Sequence, residues 1–252
     1  MTEHRFFVNR NQIRGEKVIL SGSQARQAHS VLRLRKGDCI RILDNQGWQY
    51  EVQFLTVNPQ QATGRILTKS EASGEPAARL TLYQSLLKQD KFEWILQKGT
   101  ELGVLSFVPL VTERTIVRPT KLKQNKMARW QRIIREAAEQ AGRGRIPTLS
   151  QPVQFVDALV ETQSHDMALI PWENESERTL SEPFMPNNQL TLPLSPTVAL
   201  FIGPEGGFTQ KEVAHAQTAN MIAVTLGPRI LRAETAAIVA TALILNELGE
   251  MK

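Results

Sequence analysis

The amino-acid sequence predicts an α/β protein of two domains: a small N-terminal β-barrel over residues 1–72 and a C-terminal α/β domain over residues 73–252. Three observations lead there. The first 72 residues hold several short strand-like runs punctuated by turn residues, the pattern of a small barrel. Beyond the small-residue segment "SEASGEPAAR" (70–79), strand and helix patterns alternate, and such alternation builds a parallel sheet covered on both faces. Near the C-terminus, "FIGPEGGFTQKE" (201–212) and "LGPRILRAETAAI" (226–238) are apolar runs broken by glycine and proline and then followed by a helical pattern.

In the first domain, strands are expected at 6–8, 17–20, 39–43, 48–54 and 64–67, with one helix at about 24–34. "DNQG" (44–47), between two strand-like runs, is a hairpin signal. The segment 70–79 reads as an interdomain linker. In the second domain, 80–86, 106–111 and 167–170 read as strands. Asp90 with Glu93 opens a helix that Gly103 closes, and 121–141 is a long helix ended by Gly142. Its expected apolar stripe is Ile133, Ala137 and Ala141, and Arg132 with Glu136 has the spacing of an i, i+4 ion pair. Residues 197–202 and 221–226 complete the sheet. Thr209 and Glu212 have the spacing of a capping box, and 233–248 is a helix apolar at almost every position.

A chain of 252 residues has ample length to bury a core. The single Cys39 excludes an internal disulfide framework and agrees with a reducing compartment. No apolar secretory segment is visible at the N-terminus, and the run 236–245 is too short to span a bilayer, so a cytoplasmic protein is expected, with no membrane partner. Residues 1–72 carry 11 Lys/Arg against 6 Asp/Glu, whereas 73–252 carry 19 of each, so the whole excess of the +5 net charge sits in the first third. A second basic zone, 114–145, holds 10 basic and 2 acidic residues, and 157–182 holds 7 acidic and 1 basic. Two basic zones suit a polyanionic partner, although solvated surface gives the same pattern. No Cys or His lies at zinc spacing, and no metal is expected.

The two glycine-proline segments have the layout of ligand loops at strand ends, where backbone can approach a ligand closely. Two such loops fit one bound cofactor. Neither has the spacing of a dinucleotide or Walker-type phosphate loop. Taken together, "GPEGGF" and "LGPRILRAETA" resemble the SPOUT superfamily of methyltransferases, and more closely its RsmE family. "KFEWILQKGTELGV" (91–104), "ERT" (113–115) and "REAAEQAGRGRIP" (135–147) look like further blocks of that family in the same order. The segment 173–196 is longer and more acidic than the family pattern.

The resemblance implies methylation of N3 of a uridine in 16S (small-subunit) rRNA with S-adenosyl-L-methionine as cofactor. It also implies a PUA-like RNA-binding barrel, a C-terminal trefoil knot and a homodimer. Packing under the sheet would equally cover the apolar final helix. A different class of protein, a non-catalytic RNA-binding or ribosome-assembly factor, would keep the fold without needing the glycine loops.

Uridine N3 sits between two carbonyls and attacks as it loses its proton, so the site should stabilise negative charge on the base. Arg232, beside the second loop, is the first candidate and Arg229 the second. Glu205 fits three roles: acceptor of the N3 proton, contact to the cofactor's amine, or cap of the turn. The cofactor is expected against Gly203, Pro204, Glu205, Gly206 and Gly207 of one loop and Leu226 and Gly227 of the other. Leu200, Ile202, Ile230 and Leu231 are expected to add apolar walls. For RNA, the candidates are His29, Arg33, Arg35 and Lys36 in the first domain, and Arg114, Arg143, Arg145 and Arg229 in the second.

Overall fold

The computed structural model describes residues 4–117, 124–185 and 192–251. The chain divides into two compact units, one of Met1–Glu75 with Ala138–Ile146, the other of Pro76–Ala137 with Pro147–Lys252. The division expected from the sequence is 1–72 and 73–252; in this one the first unit runs to Glu75 and takes in residues 138–146, which the sequence places in the second.

The first unit contains strands β1 (Arg5–Phe7), β2 (Ile13–Arg14), β3 (Lys17–Ser21), β4 (Cys39–Leu43), β5 (Trp48–Val57) and β6 (Gln61–Glu71). They form one sheet in the order β1-β4-β5-β6-β3-β2, antiparallel except for β1 beside β4. No ladder joins β1 to β2 among the described residues. Alternate residues of the strands, among them Phe6, Leu20, Ile40, Ile42, Val52 and Phe54, make the core, each such side chain stabilising by about 1.5–3 kcal/mol on burial. The β4–β5 hairpin forms because Asp44 Oδ1 accepts from the N–H groups of Gln46 (2.8 Å) and Trp48 (3.1 Å), while Asn45 and Gly47 take positive φ. The expected helix at 24–34 is shorter: α1 (Ser23–Arg26) passes into a π-helical turn (Gln27–Val31), and Arg33, with φ 56°, stops it. The expected linker is shorter as well, since β6 continues to Glu71, opposite Trp48.

Residues 138–146 are held to this unit by specific bonds. Phe7 N–H donates to Glu139 Oε1 (3.0 Å), Ile146 N–H to Asn45 Oδ1 (2.7 Å), and Ala138 packs with Phe7 and Leu43. Arg143, 2% exposed, donates from Nε and Nη2 to the two carboxylate oxygens of Glu75 at 3.0 and 2.8 Å.

The second unit contains β7 (Arg79–Ser85), α2 (Lys91–Leu102), β8 (Ser106–Val111), β9 (Thr148–Leu149), β10 (Val153–Gln154), α4 (Phe155–Thr162), β11 (Met167–Pro171), β12 (Thr197–Ile202), α5 (Gln210–Thr218), β13 (Ile222–Val224) and α6 (Ala233–Glu247). Helix α3 (Gln124–Ala141) belongs to it as far as Ala137. All seven strands are parallel, in the order β10-β8-β7-β12-β11-β13 with β9 beside β8. Strand alternation splits the core: Ala199 and Phe201 join Tyr83, Phe155 and Val213 on one face, and β12 meets α6, which packs on α2, on the other. Tyr83 stacks on Phe201 at 4.3 Å. Gly99 lets α2 approach β8, since a methyl there would lie 2.8 Å from Phe107. The buried stripe of α3 includes Trp130, Ile134, Ala137 and Ala138, one step round from the expected one, and Ala141 is exposed. Arg132 and Glu136 do pair, at 3.9 Å and in the open. No described helix is long and apolar enough to cross a membrane.

Candidate active site

Both glycine segments lie on the carboxyl edge of the parallel sheet, after β12 and β13, the two strands that flank β11. In such sheets this edge is where ligands bind. The loop after β12 turns tightly: Gly207 (φ +66°) donates its N–H to Pro204 O at 2.9 Å. A methyl on Gly207 would run into the Glu173 carboxylate, and one on Gly203 would lie 3.2 Å from the Gly207 carbonyl carbon. Glycine is favoured at 207 by its left-handed φ and at 203 by the close approach of the turn's own backbone.

Neighbouring loops brace this turn. Thr209 and Glu212 form the expected capping box, with Glu212 N–H donating to Thr209 Oγ1 (3.2 Å) and Thr209 N–H to Glu212 Oε2 (2.8 Å). The buried Glu212 also accepts from Glu113 N–H at 2.8 Å, which ties the loop after β8 to the start of α5. Arg114, on that loop, donates from Nη1 to Gly206 O at 2.6 Å. Glu205 Oε1 accepts from Lys88 N–H (3.2 Å) in the loop between β7 and α2.

The second loop opens with Thr225, whose N–H donates to Arg178 O (2.8 Å) and whose Oγ1 accepts from Gly227 N–H (3.2 Å); Gly227 has φ +101°. Leu226 and Leu231 are half-buried, whereas Gly227, Arg229 and Ile230 are exposed, Ile230 to 88%. Arg232 is exposed and occupies the N-cap of α6 without a capping bond from its side chain. Two residues on, Glu234 Oε1 pairs with Lys91 Nζ at 3.3 Å, joining the starts of α6 and α2.

The sequence candidates separate on these facts. Gly203, Pro204, Glu205, Gly206 and Gly207 come together in one loop, and Leu226, Gly227, Ile230, Leu231 and Arg232 in the other. Leu200 is completely buried in mid-strand, paired across β11 and β7, and Ile202 is 3% exposed, so both support the loop from within the sheet. In the first unit, His29, Arg33, Arg35 and Lys36 are exposed along one segment, and Arg145 is exposed near the β4–β5 hairpin. Arg143 does not share that exposure: its guanidinium is inside, on Glu75. Sequence reasoning missed Lys88 and Glu173, whose places depend on contacts between distant loops.

A family model for the RNA methyltransferase domain matches residues 74–245. Ribosomal RNA small subunit methyltransferase E from a Synechocystis strain is 36% identical over 246 residues, covering 96% of this chain and 77% of the relative. The Bacillus subtilis protein of the same name is 30% identical over 226 residues, covering 89% and 88%. The chain belongs to the ribosomal RNA small subunit methyltransferase E family. A solved family member from Neisseria gonorrhoeae, bound to S-adenosyl methionine, superimposes with a TM-score of 0.83 at 32% identity and 97% coverage of both chains. Membership of this family extends over both units, since the matched relatives span nearly all of the chain.

Proposed function

We propose that this protein transfers the methyl group of S-adenosyl-L-methionine to N3 of one uridine in 16S rRNA. One observation carries the reading. Two glycine turns flank β11 on the carboxyl edge of a parallel sheet, in a chain 32% identical over almost its whole length to a family member solved with that cofactor.

The residues present fit such a cofactor. The turns at 203–207 and 226–231 offer close backbone, Leu226, Ile230 and Leu231 offer apolar surface to a flat base, and Glu205 offers negative charge to a cation. When bound, the cofactor supplies a methyl group already activated by its sulfonium, and the carbon–sulfur pair leaves with sulfur. The protein's part is alignment and charge. Glu205 takes the N3 proton, and the electron pair left on N3 forms the new bond to carbon. Arg232, with Arg229 beside it, stabilises the negative charge on the base.

The first unit serves as a PUA-like barrel that grips RNA through His29, Arg33, Arg35 and Lys36, with Arg145 and Arg114 as further phosphate contacts. The C-terminal segment forms a trefoil knot, and the protein works as a cytoplasmic homodimer. Support for the dimer is that α6 buries Ala237, Ala240, Thr241, Ile244 and Leu245 within its own unit yet leaves Leu243 39% exposed, and that Ile230, before the start of the same helix, is 88% exposed.

The test is transfer of labelled methyl to small ribosomal subunits and to naked rRNA from a strain lacking the protein, with mass mapping of the product. A single N3-methyluridine in 16S rRNA is expected. Cofactor binding without transfer to either substrate would point to a different RNA, and absence of cofactor binding would overturn the reading.

A further inference from the structure

The loop between β7 and α2 carries a cation that the proposed mechanism has not used. Lys88 is exposed, its N–H is bonded to Glu205 of the first glycine turn, and its ammonium forms no ion pair among the described residues. The residue after it, Gln89, has φ +57°, a left-handed conformation unfavourable for a side chain of that kind. The other described non-glycine residue of this unit with positive φ is Asn220, a type that tolerates it. At the root of the loop, Gln84 Oε1 and Ser85 Oγ are buried and have no hydrogen-bond partner among the described residues. Strained backbone and unsatisfied buried polar atoms both cost stability, and both are features that persist at functional sites.

We propose that Lys88 is a second charge-stabilising catalytic residue, which binds one carbonyl oxygen of the uracil as N3 loses its proton. This inference rests on the methyl-transfer reading above. When N3–H ionises, its electron pair is shared by the carbonyl oxygens on either side, so charge develops at both. An arginine at the start of α6 covers one oxygen. The other requires a second donor, and the residue whose backbone N–H is bonded to Glu205 carries an ammonium with three N–H donors. The surrounding charges are Glu205 and Arg114 of the glycine-turn side, Asp90 and Lys91 on the loop's own side, and Glu234 bonded to Lys91. Lys91 is thus already committed to Glu234, whereas Lys88 has no ion pair among the described residues.

Single-turnover methylation of small-subunit rRNA by the wild type, Lys88→Met and Lys88→Arg, from neutral to mildly alkaline pH, tests this. Lys88→Met is expected to slow transfer roughly 10²-fold at neutral pH, with the deficit shrinking as pH rises and the uridine ionises unaided. A substrate with 5-fluorouridine at the target, whose N3 is more acidic, should recover much of the loss. Lys88→Arg should keep most of the activity, and cofactor affinity should be unchanged in both variants. Unchanged transfer by Lys88→Met, or a loss independent of pH and of fluorination, overturns the assignment of Lys88 alone. A wild type that transfers no methyl overturns the function reading and this inference with it.

Discussion

Arg143 and Glu75 form a two-bonded ion pair inside the first unit, with Arg143 2% exposed and both carboxylate oxygens engaged at 3.0 and 2.8 Å. The pair closes the return of residues 138–146, and Glu75 Oε1 also accepts from Arg145 N–H at 3.2 Å. Removing Arg143 leaves the partly buried Glu75 carboxylate without its guanidinium and two charged hydrogen bonds unmade. Arg143→Met should therefore cost about 3 kcal/mol or more in urea unfolding, and Arg143→Lys should restore little, because an ammonium cannot make the two parallel bonds. The double variant Arg143→Met with Glu75→Leu should be more stable than Arg143→Met alone. If Arg143→Met unfolds like the wild type, the pair is not what holds the segment.

Gly207 combines two constraints that can be separated. Its φ of +66° costs any other residue about 1–2 kcal/mol, and a methyl there meets the Glu173 carboxylate. Gly207→Ala should lower the melting temperature and weaken binding of S-adenosyl-L-methionine at least tenfold in calorimetry, by roughly 1.4 kcal/mol. Adding Glu173→Ser removes the collision and leaves the φ penalty, so affinity should recover in part. Full recovery would mean that the turn's conformation is unimportant; no recovery would mean that Glu173 yields freely.

Legibility followed the range of the interactions. Strand β12 and the Thr209–Glu212 capping box could be read residue by residue, because an apolar run, a glycine break and a three-residue spacing are local signals. Helix α4 was missed: it has 8 residues, and Val156 and Val160 are 63% and 67% exposed, which blurs the apolar stripe. Strands β9 and β10 are two residues each, too short for a period. In the site, both glycine turns were legible, but the bond between Lys88 and Glu205 joins positions 117 residues apart. Arg143 misled for the same reason, since in sequence it is one more arginine in a basic turn, and its partner lies 68 residues earlier.

His165 should impose a pH dependence on stability. Burial pushes its imidazole below the ordinary 6.5, outweighing the bond to the Glu161 carbonyl and the nearby carboxylates of Glu161 and Asp166. In the unfolded chain the ring titrates near 6.5, so between the lowered value and 6.5 the unfolded state holds more protons. Stability is then complete above 6.5 and declines as pH falls through that window. The depressed Asp166, held by Thr197, adds its own loss only below its ordinary 3.8. His165→Gln cannot take up the proton and should show a flatter decline just below 6.5 in urea titrations. Equal slopes for variant and wild type would exclude the histidine as the source.

Arg232 offers a clean separation of chemistry from folding. Its side chain makes no capping bond, and the first turn of α6 is closed instead by its backbone carbonyl, which accepts from Ala236 N–H at 2.8 Å. Arg232→Ala therefore keeps the helix start and should leave the melting temperature and cofactor affinity close to wild type. Transfer should fall by about 10²–10³-fold, the usual loss when one donor to a developing negative charge is removed. Because Arg229 lies on the same loop just before it, the double variant should lose more than Arg232→Ala, and Arg229→Ala alone should lose less. Normal turnover by Arg232→Ala would assign the charge on the base to another group and leave Lys88 as the principal candidate.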